Sequence, residues 1–279
     1  YCYYCYYCYY CYYCYWIWQK VVNFEYPFEL SAISSKHSGL ISKKSDILNK
    51  VDQRILHVAK WILSVGDAVA TADVNNDGFK DLFLTQILKD SSVKAKVYLN
   101  KGNFKFNKVA IPDLERYLNS PKVNGLPAFG LFFDYDNDGD QDLFVGFGFA
   151  QSHLFENRMI PDGNFSMREI QVEALKRQST ICLTANIFDF NRDGKADIFN
   201  TDYGSNTNLS FSNGNGTFTD VTSAITNLTG GGANFLSFAT GDLNHDGKID
   251  LYSSYGTVYN NPTNTDDVLW LNTTNNGNH

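Results

Sequence analysis

The chain has 279 residues, 43% of them hydrophobic, which is enough for a sizeable core in one domain and excludes the disordered class. Its formal charge of −7 argues against nucleic acids and anionic membranes as partners, because phosphate recognition needs a basic face. Fourteen of the 30 acidic residues fall in four short clusters, where like charges repel unless a cation sits among them. One Ca2+ in each cluster would bring the charge to about +1.

The chain opens on Tyr1 and not on Met, which reads as a processed or incomplete chain. No Lys or Arg precedes Lys20 and no apolar h-region follows it, so no signal peptide is expected here, and no run of 18 purely apolar residues predicts a spanning helix. Residues 1–20 are a separate tract. Cys2, Cys5, Cys8, Cys11 and Cys14 recur every third residue with tyrosines between them. A period of three fits neither a strand nor an α-helix. It fits a polyproline-II or 3₁₀ path, on which the cysteines form one stripe. Two readings stand: an assembly stalk packed by tyrosines and cross-linked by disulfides, or a low-complexity leader without a single structure. A thiolate metal ladder fits less well, because zinc sites alternate Cys-x₂-Cys with longer gaps.

Residues 21–279 read as one β-propeller. The segment 22–33, VNFEYPFELSAI, resembles GNFKFNKVAI at 102–111 and GTFTDVTSAI at 216–225 and predicts an N-terminal strand. That strand would close the chain's own ring or complete the next molecule head to tail; further blades outside this sequence are the third option. Residues 34–65 are less regular and are expected to be a helical insertion.

From there a unit repeats. Its core reads DVNNDGFKDLF from Asp73, DYDNDGDQDLF from Asp134, DFNRDGKADIF from Asp189 and DLNHDGKIDLY from Asp242. Alternating apolar segments flank each core and predict strands on both sides of a tight acidic turn. A second phrase with Asn-Gly or lone glycines recurs at 97–106, 153–167 and 209–221 and predicts hairpins. Each unit therefore supplies about four short strands, one propeller blade, and the fold class is all-β with four such blades visible. The last unit, from Val268 on, begins the hairpin phrase only.

The acidic turns have the chemistry of a calcium loop. Positions 1, 3, 5 and 9 carry oxygen side chains: Asp73, Asn75, Asp77 and Asp81; Asp134, Asp136, Asp138 and Asp142; Asp189, Asn191, Asp193 and Asp197; Asp242, Asn244, Asp246 and Asp250. Position 6 is glycine in every copy, which permits the sharp turn. The position-7 carbonyl, from Phe79, Asp140, Lys195 or Lys248, completes the shell, and its varied side chains fit a backbone contact. Hard oxygen donors in a flexible loop suit Ca2+ better than Mg2+ or a transition metal. An EF-hand is excluded, because position 12 is Leu84, Val145, Asn200 or Ser253 and not Glu. The expected role is structural, one ion per loop. The second copy, richest in carboxylates, is expected to bind tightest.

These loops resemble the FG-GAP/VCBS repeat family, which includes the calcium blades of integrin α-subunit propellers and cartilage acidic protein-like proteins. The resemblance covers about residues 64–279. It implies a β-propeller, calcium at the positions named above, an extracellular place, and adhesion or ligand binding. Family propellers usually have about seven blades, and the Cys-Tyr-Tyr tract is foreign to the pattern.

The expected function is non-catalytic adhesion or assembly, the sharper form being a subunit of a surface filament. Partners are then copies of the chain, as a homo-oligomer, or an extracellular protein or glycan. The rival readings are a carbohydrate-binding or a catalytic propeller of a secreted enzyme. The histidines at 37, 57, 153, 245 and 279 form no triad or metal motif, and no P-loop, G-x-S-x-G or H-E-x-x-H is present. His245 is expected to face solvent, and His57 and Cys182 to lie in the core. Five Asn-x-Ser/Thr sequons, at Asn164, Asn208, Asn215, Asn227 and Asn272, permit glycosylation.

Overall fold

The computed structural model describes residues 29–41, 43, 53, 67–87, 89–90, 92–119, 121–148, 150–176, 182–202, 208–223, 234–256 and 267–273. The Cys-Tyr-Tyr tract, residues 22–28 of the expected first strand, His57, His279, Asn227 and the side chain of Cys182 lie outside the described residues. The chain divides into two compact units, Tyr1–Ser34 and Ser35–His279. In the first, residues 29–34 form no regular element, and Leu30 is exposed. The strand expected through Ile33 is therefore not present at 29–33.

In the second unit the alternating segments form four antiparallel meanders. Sheet 1 contains β1 (Val69–Ala72), β2 (Asp81–Leu84), β3 (Lys96–Asn100) and β4 (Phe106–Val109). Sheet 2 contains β5 (Leu126–Phe133), β6 (Asp142–Gly148), β7 (His153–Asn157) and β8 (Met167–Ile170). Sheet 3 contains β9 (Cys182–Phe188), β10 (Asp197–Asp202), β11 (Asn208–Ser212) and β12 (Phe218–Asp220). Sheet 4 contains β13 (Asn234–Gly241), β14 (Asp250–Gly256) and β15 (Val268–Trp270). Each acidic turn joins the first two strands of its sheet. Asp81 pairs with Ala72, Asp142 with Phe133 and Asp197 with Phe188, so the turn closes in the same register each time.

Consecutive sheets pack through their first strands: β5 against β1, β9 against β5 and β6, and β13 against β9 and β10. Among the described residues no comparably packed strand pair joins sheet 4 back to sheet 1. Between sheets the core is apolar and rich in aromatic rings. Val74, Phe83 and Val97 of sheet 1 meet Leu143, Val145 and Phe155 of sheet 2. Tyr135, Phe144 and Leu154 of sheet 2 meet Ile198 and Ala185 of sheet 3. Phe190, Phe199 and Leu209 of sheet 3 meet Leu251, Phe238 and Trp270 of sheet 4. The approach is close enough that Gly130 is required on β5, since a Cβ there would lie 2.5 Å from the ring of Phe83.

The insertion before sheet 1 begins with one helical turn, α1 (Ser35–Ser38), which rests on the outer edge of that sheet. His37 Nε2 lies 2.8 Å from the carbonyl of Asn103, and Lys43 and Asp90 exchange hydrogen bonds. Two helices that the repeat pattern does not predict stand between sheets 1 and 2: α2 (Pro112–Leu118) and α3 (Pro121–Asn124). Pro112 starts α2, with its fixed φ suited to a first turn that also carries Asp113 and Glu115. A further single turn, α4 (Met159–Asp162), ends at left-handed Gly163 in the connection from β7 to β8. Among the described residues no helix is long and apolar enough to cross a membrane.

Candidate metal centres

All four turns adopt one conformation. The position-1 carboxylate accepts two backbone N–H groups. At the first turn Asp73 Oδ1 receives Asp77 N–H at 3.1 Å and its Oδ2 receives Gly78 N–H at 2.8 Å. Asp134, Asp189 and Asp242 repeat both contacts. The side-chain oxygen at position 3 also accepts the position-5 N–H, and the position-5 carboxylate accepts the position-7 N–H at 3.0 Å in each copy. Two left-handed residues, separated by one position, make this curl possible. One is the glycine at position 6; the other is position 4, where φ is +55° at Asn76, +62° at Asn137, +65° at Arg192 and +61° at His245. Asn tolerates this region and Arg and His do so at some cost, a constraint at position 4 that the sequence reading overlooked. His245 is exposed there, as expected.

The second turn gathers the most charge. Carboxylate oxygens of Asp134, Asp136 and Asp138 lie within 4.8 Å of one another. Burial, reinforced by Asp138, pushes the Asp136 carboxyl above its ordinary value. Asp140 is 1% exposed; its Oδ2 accepts the N–H of Ile160 at 2.9 Å, while its Oδ1 has no hydrogen-bond partner. Burial, opposed by that hydrogen bond and reinforced by Asp138 and its neighbours, pushes Asp140 up to about 6. An all-oxygen donor set with converging carboxylates and an orphaned buried oxygen fits a hard divalent cation. The first, third and fourth turns offer the same oxygens with Asn at position 3. In the third and fourth, the position-7 lysine leans on the position-5 carboxylate: Lys195 Nζ is 3.1 Å from Asp193 Oδ2 and Lys248 Nζ is 3.7 Å from Asp246 Oδ2. Those ammonium groups supply part of the neutralisation a cation would bring.

Position 9 does something the sequence reading did not foresee. Asp81, Asp142, Asp197 and Asp250 are all 1% exposed or less. In each, Oδ2 accepts the position-2 N–H and Oδ1 accepts an N–H at the end of the third strand of the same sheet or, in sheet 4, two residues beyond it. This carboxylate is a staple that ties the turn to the second and third strands before it is anything else. Burial, opposed by its two backbone donors, pushes Asp142 up to about 8 and Asp197 up to about 6. The residue that supplies the N–H to Oδ1 also reaches the preceding sheet. Asn157 Nδ2 donates to the carbonyl of Val74 at 2.8 Å and Asn272 Nδ2 to that of Phe190 at 3.1 Å.

A second polar cluster appears only in three dimensions. Glu169 on β8, its side chain 2% exposed, accepts the hydroxyl of Tyr117 at 2.8 and 2.9 Å and pairs with Arg116, both from α2. It also lies 2.6 Å from Nδ1 of His153 on β7. Burial, with Arg116 alongside, lowers His153 to about 4, so the imidazole is neutral and donates to Glu169. The Tyr117 and Phe147 rings pack on the imidazole at 4.1 and 5.0 Å. With His153 and Glu169 both closed from solvent, this cluster clamps α2 to sheet 2.

The sequons divide by burial. Asn164 and Asn215 are exposed. Asn208 and Asn272 are buried, with their amides donating to the carbonyls of Ala174 and Phe190.

No curated protein matches the chain. A solved structure described as the "structural basis of specific recognition of non-reducing terminal N-acetylglucosamine by an Agrocybe aegerita lection" is similar over 66% of this chain at 18% identity, with a TM-score of 0.41. The chain spans 45% of that chain. The FG-GAP-like repeat profile matches residues 73–145, 134–199 and 189–253, which begin and end on the acidic turns and the strands that follow them. The chain therefore belongs to the FG-GAP-like repeat family.

Proposed function

We propose that the chain is a non-catalytic, extracellular binding or assembly module whose sheets are fastened by Ca2+ at the four acidic turns. The observation that carries this reading is the second turn, where carboxylate oxygens of Asp134, Asp136 and Asp138 converge within 4.8 Å of one another. Asp134, Asp136, Asp138 and the Asp140 carbonyl would hold the ion. Its chemistry there is neutralisation of like charges, so that binding free energy becomes folding free energy. The backbone prepares for it by holding the position-1 carboxylate with two N–H groups and the position-5 carboxylate with one, and each carboxylate keeps further lone pairs for a cation.

A non-catalytic role is supported by the fate of His153. It is neutral, 3% exposed and committed to Glu169, and so is closed to a substrate. Family membership supports an extracellular place. The partner is a protein or glycan surface, or other copies of the chain. In the sharpest version the Tyr1–Tyr15 tract builds a filament, which electron microscopy of the calcium-loaded protein tests; isolated particles would refute that version. Calorimetric titration with Ca2+ tests the module itself. Saturable binding that raises the melting temperature is expected, and no heat and no shift would overturn the reading.

A further inference from the structure

In each acidic turn two peptide groups separate position 1 from position 3, and in the first three turns both are held. The first peptide carries the position-2 N–H, which the buried aspartate at position 9 of the same turn accepts. The second carries the position-2 carbonyl, and the side chain that meets it comes from the next sheet. Asn157 Nδ2 donates to Val74 of the first turn at 2.8 Å, and Asn272 Nδ2 donates to Phe190 of the third at 3.1 Å. Ser212 Oγ stands 3.5 Å from the carbonyl of Tyr135 of the second turn, beyond the ordinary O–H···O range. Both asparagines are withdrawn from solvent, Asn157 at 0% and Asn272 at 7% exposed. An amide suits the place because it has two N–H hydrogens. The Asn157 amide donates to Gln141 of its own turn at 3.1 Å as well as to Val74. Its Oδ1 accepts the N–H of Met159, as Ser212 Oγ accepts that of Gly214. A hydroxyl has one hydrogen and cannot make both donations.

We propose that Asn157 and Asn272 are positioning residues for cation binding. Each reaches from the following sheet and holds the spacing between the position-1 and position-3 oxygens of the turn before it, Asp73 with Asn75 and Asp189 with Asn191. The inference rests on the Ca2+ reading of the turns and adds that the first and third sites are each completed by a neighbouring sheet. A docked asparagine removes part of the ordering that the ion would otherwise have to impose on the turn. The effect is reciprocal, as linkage requires. Ca2+ at the first turn tightens the contact of sheet 1 with sheet 2, and Ca2+ at the third tightens that of sheet 3 with sheet 4. The second turn has the long serine contact in place of an asparagine, and it has Asp136 at position 3 where the other turns have Asn. It relies on charge where the first and third turns rely on the next sheet.

Asn157→Ser is the informative change, because serine already stands at this place in sheet 3 and the backbone N–H to Asp142 is kept. Calorimetric Ca2+ titrations, and melting temperatures in Ca2+ and in EDTA, compare the full chain with Asn157→Ser, with Asp77→Ala, which disables the first turn, and with the double variant. Asn157→Ser is expected to weaken one Ca2+ site by about fivefold or more and to shrink the rise in melting temperature that Ca2+ gives. On the Asp77→Ala background the same change is expected to alter Ca2+ affinity by less than about twofold, since the site it positions is already gone. An asparagine with a merely structural role would lower the melting temperature equally in EDTA and in Ca2+, on both backgrounds, and that result overturns the proposal. Asn272→Ser with Asp193→Ala repeats the cycle at the third turn, so that a failure of one variant to fold leaves the other to decide. A parent that takes up no Ca2+ overturns the metal reading and this inference with it. A parent that binds Ca2+ beside an Asn157→Ser chain that binds it equally well overturns this inference alone.

Discussion

Asp142 Oδ1 accepts the backbone N–H of Asn157 at 2.8 Å, while Oδ2 of the same carboxylate accepts that of Tyr135 at 2.9 Å. One buried side chain thereby ties the acidic turn, β6 and the end of β7 together, and its counterparts do so in every sheet. Asp142→Asn keeps the shape but replaces one acceptor by a donor facing a buried N–H. We expect a loss of about 2–3 kcal/mol, the cost of an unpaired buried donor, and expect it in EDTA as much as in Ca2+. Urea denaturation in both conditions checks this; a loss confined to the Ca2+ sample would make Asp142 purely a metal ligand.

Asp138 behaves oppositely. Its carboxylate serves one exposed turn and converges with Asp134 and Asp136. Asp138→Ala should lower the melting temperature in Ca2+ by several degrees and leave it nearly unchanged, or slightly raised, in EDTA, where like-charge repulsion is relieved. Differential scanning calorimetry of the variant with and without chelator decides it.

The His153–Glu169 pair gives a pH signature separate from the turns. The folded value for His153 is about 4 against an ordinary 6.5, so the unfolded chain binds the extra proton first. Stability is therefore full above about pH 6.5 and falls as pH drops to about 4, by up to roughly 3 kcal/mol. His153→Gln should flatten that part of the profile. A parent and variant with parallel profiles would show that the imidazole does not titrate as the burial requires.

Gly130→Ala tests the spacing of sheets 1 and 2. The new methyl would meet the ring of Phe83, which is 0% exposed and has no room to turn. Overpacking of this kind costs about 1–3 kcal/mol. Denaturant unfolding measures it, and an unchanged midpoint would mean the sheets separate more freely than their packing implies.

If the chain is made in a secretory host, glycans are expected at Asn164 and Asn215 and not at Asn208 or Asn272, whose amides are spent on buried carbonyls. Mass spectrometry of glycosidase-treated peptides reads the occupancy. Modification at Asn272 would require β15 to be undocked when the transferase acts.

Much of this protein was legible in its residues because the repeat is local. A glycine six residues into an Asx-rich turn, with alternating apolar residues on either side, specifies a strand–turn–strand whatever surrounds it, and four copies at similar spacing specify four like sheets. Backbone hydrogen bonding within eleven residues is enough. What only the tertiary structure decided are the relations between distant segments. The staple made by Asp142 spans 15 residues and the clamp of Tyr117 on Glu169 spans 52, and neither leaves a periodic trace. The helix α2 is too short to show one. The exposure of Leu269, set against the burial of Val97, Leu154 and Leu209, is likewise invisible in a sequence where all four are equivalent. Burial is a property of what stands opposite a side chain, and only folding chooses that neighbour.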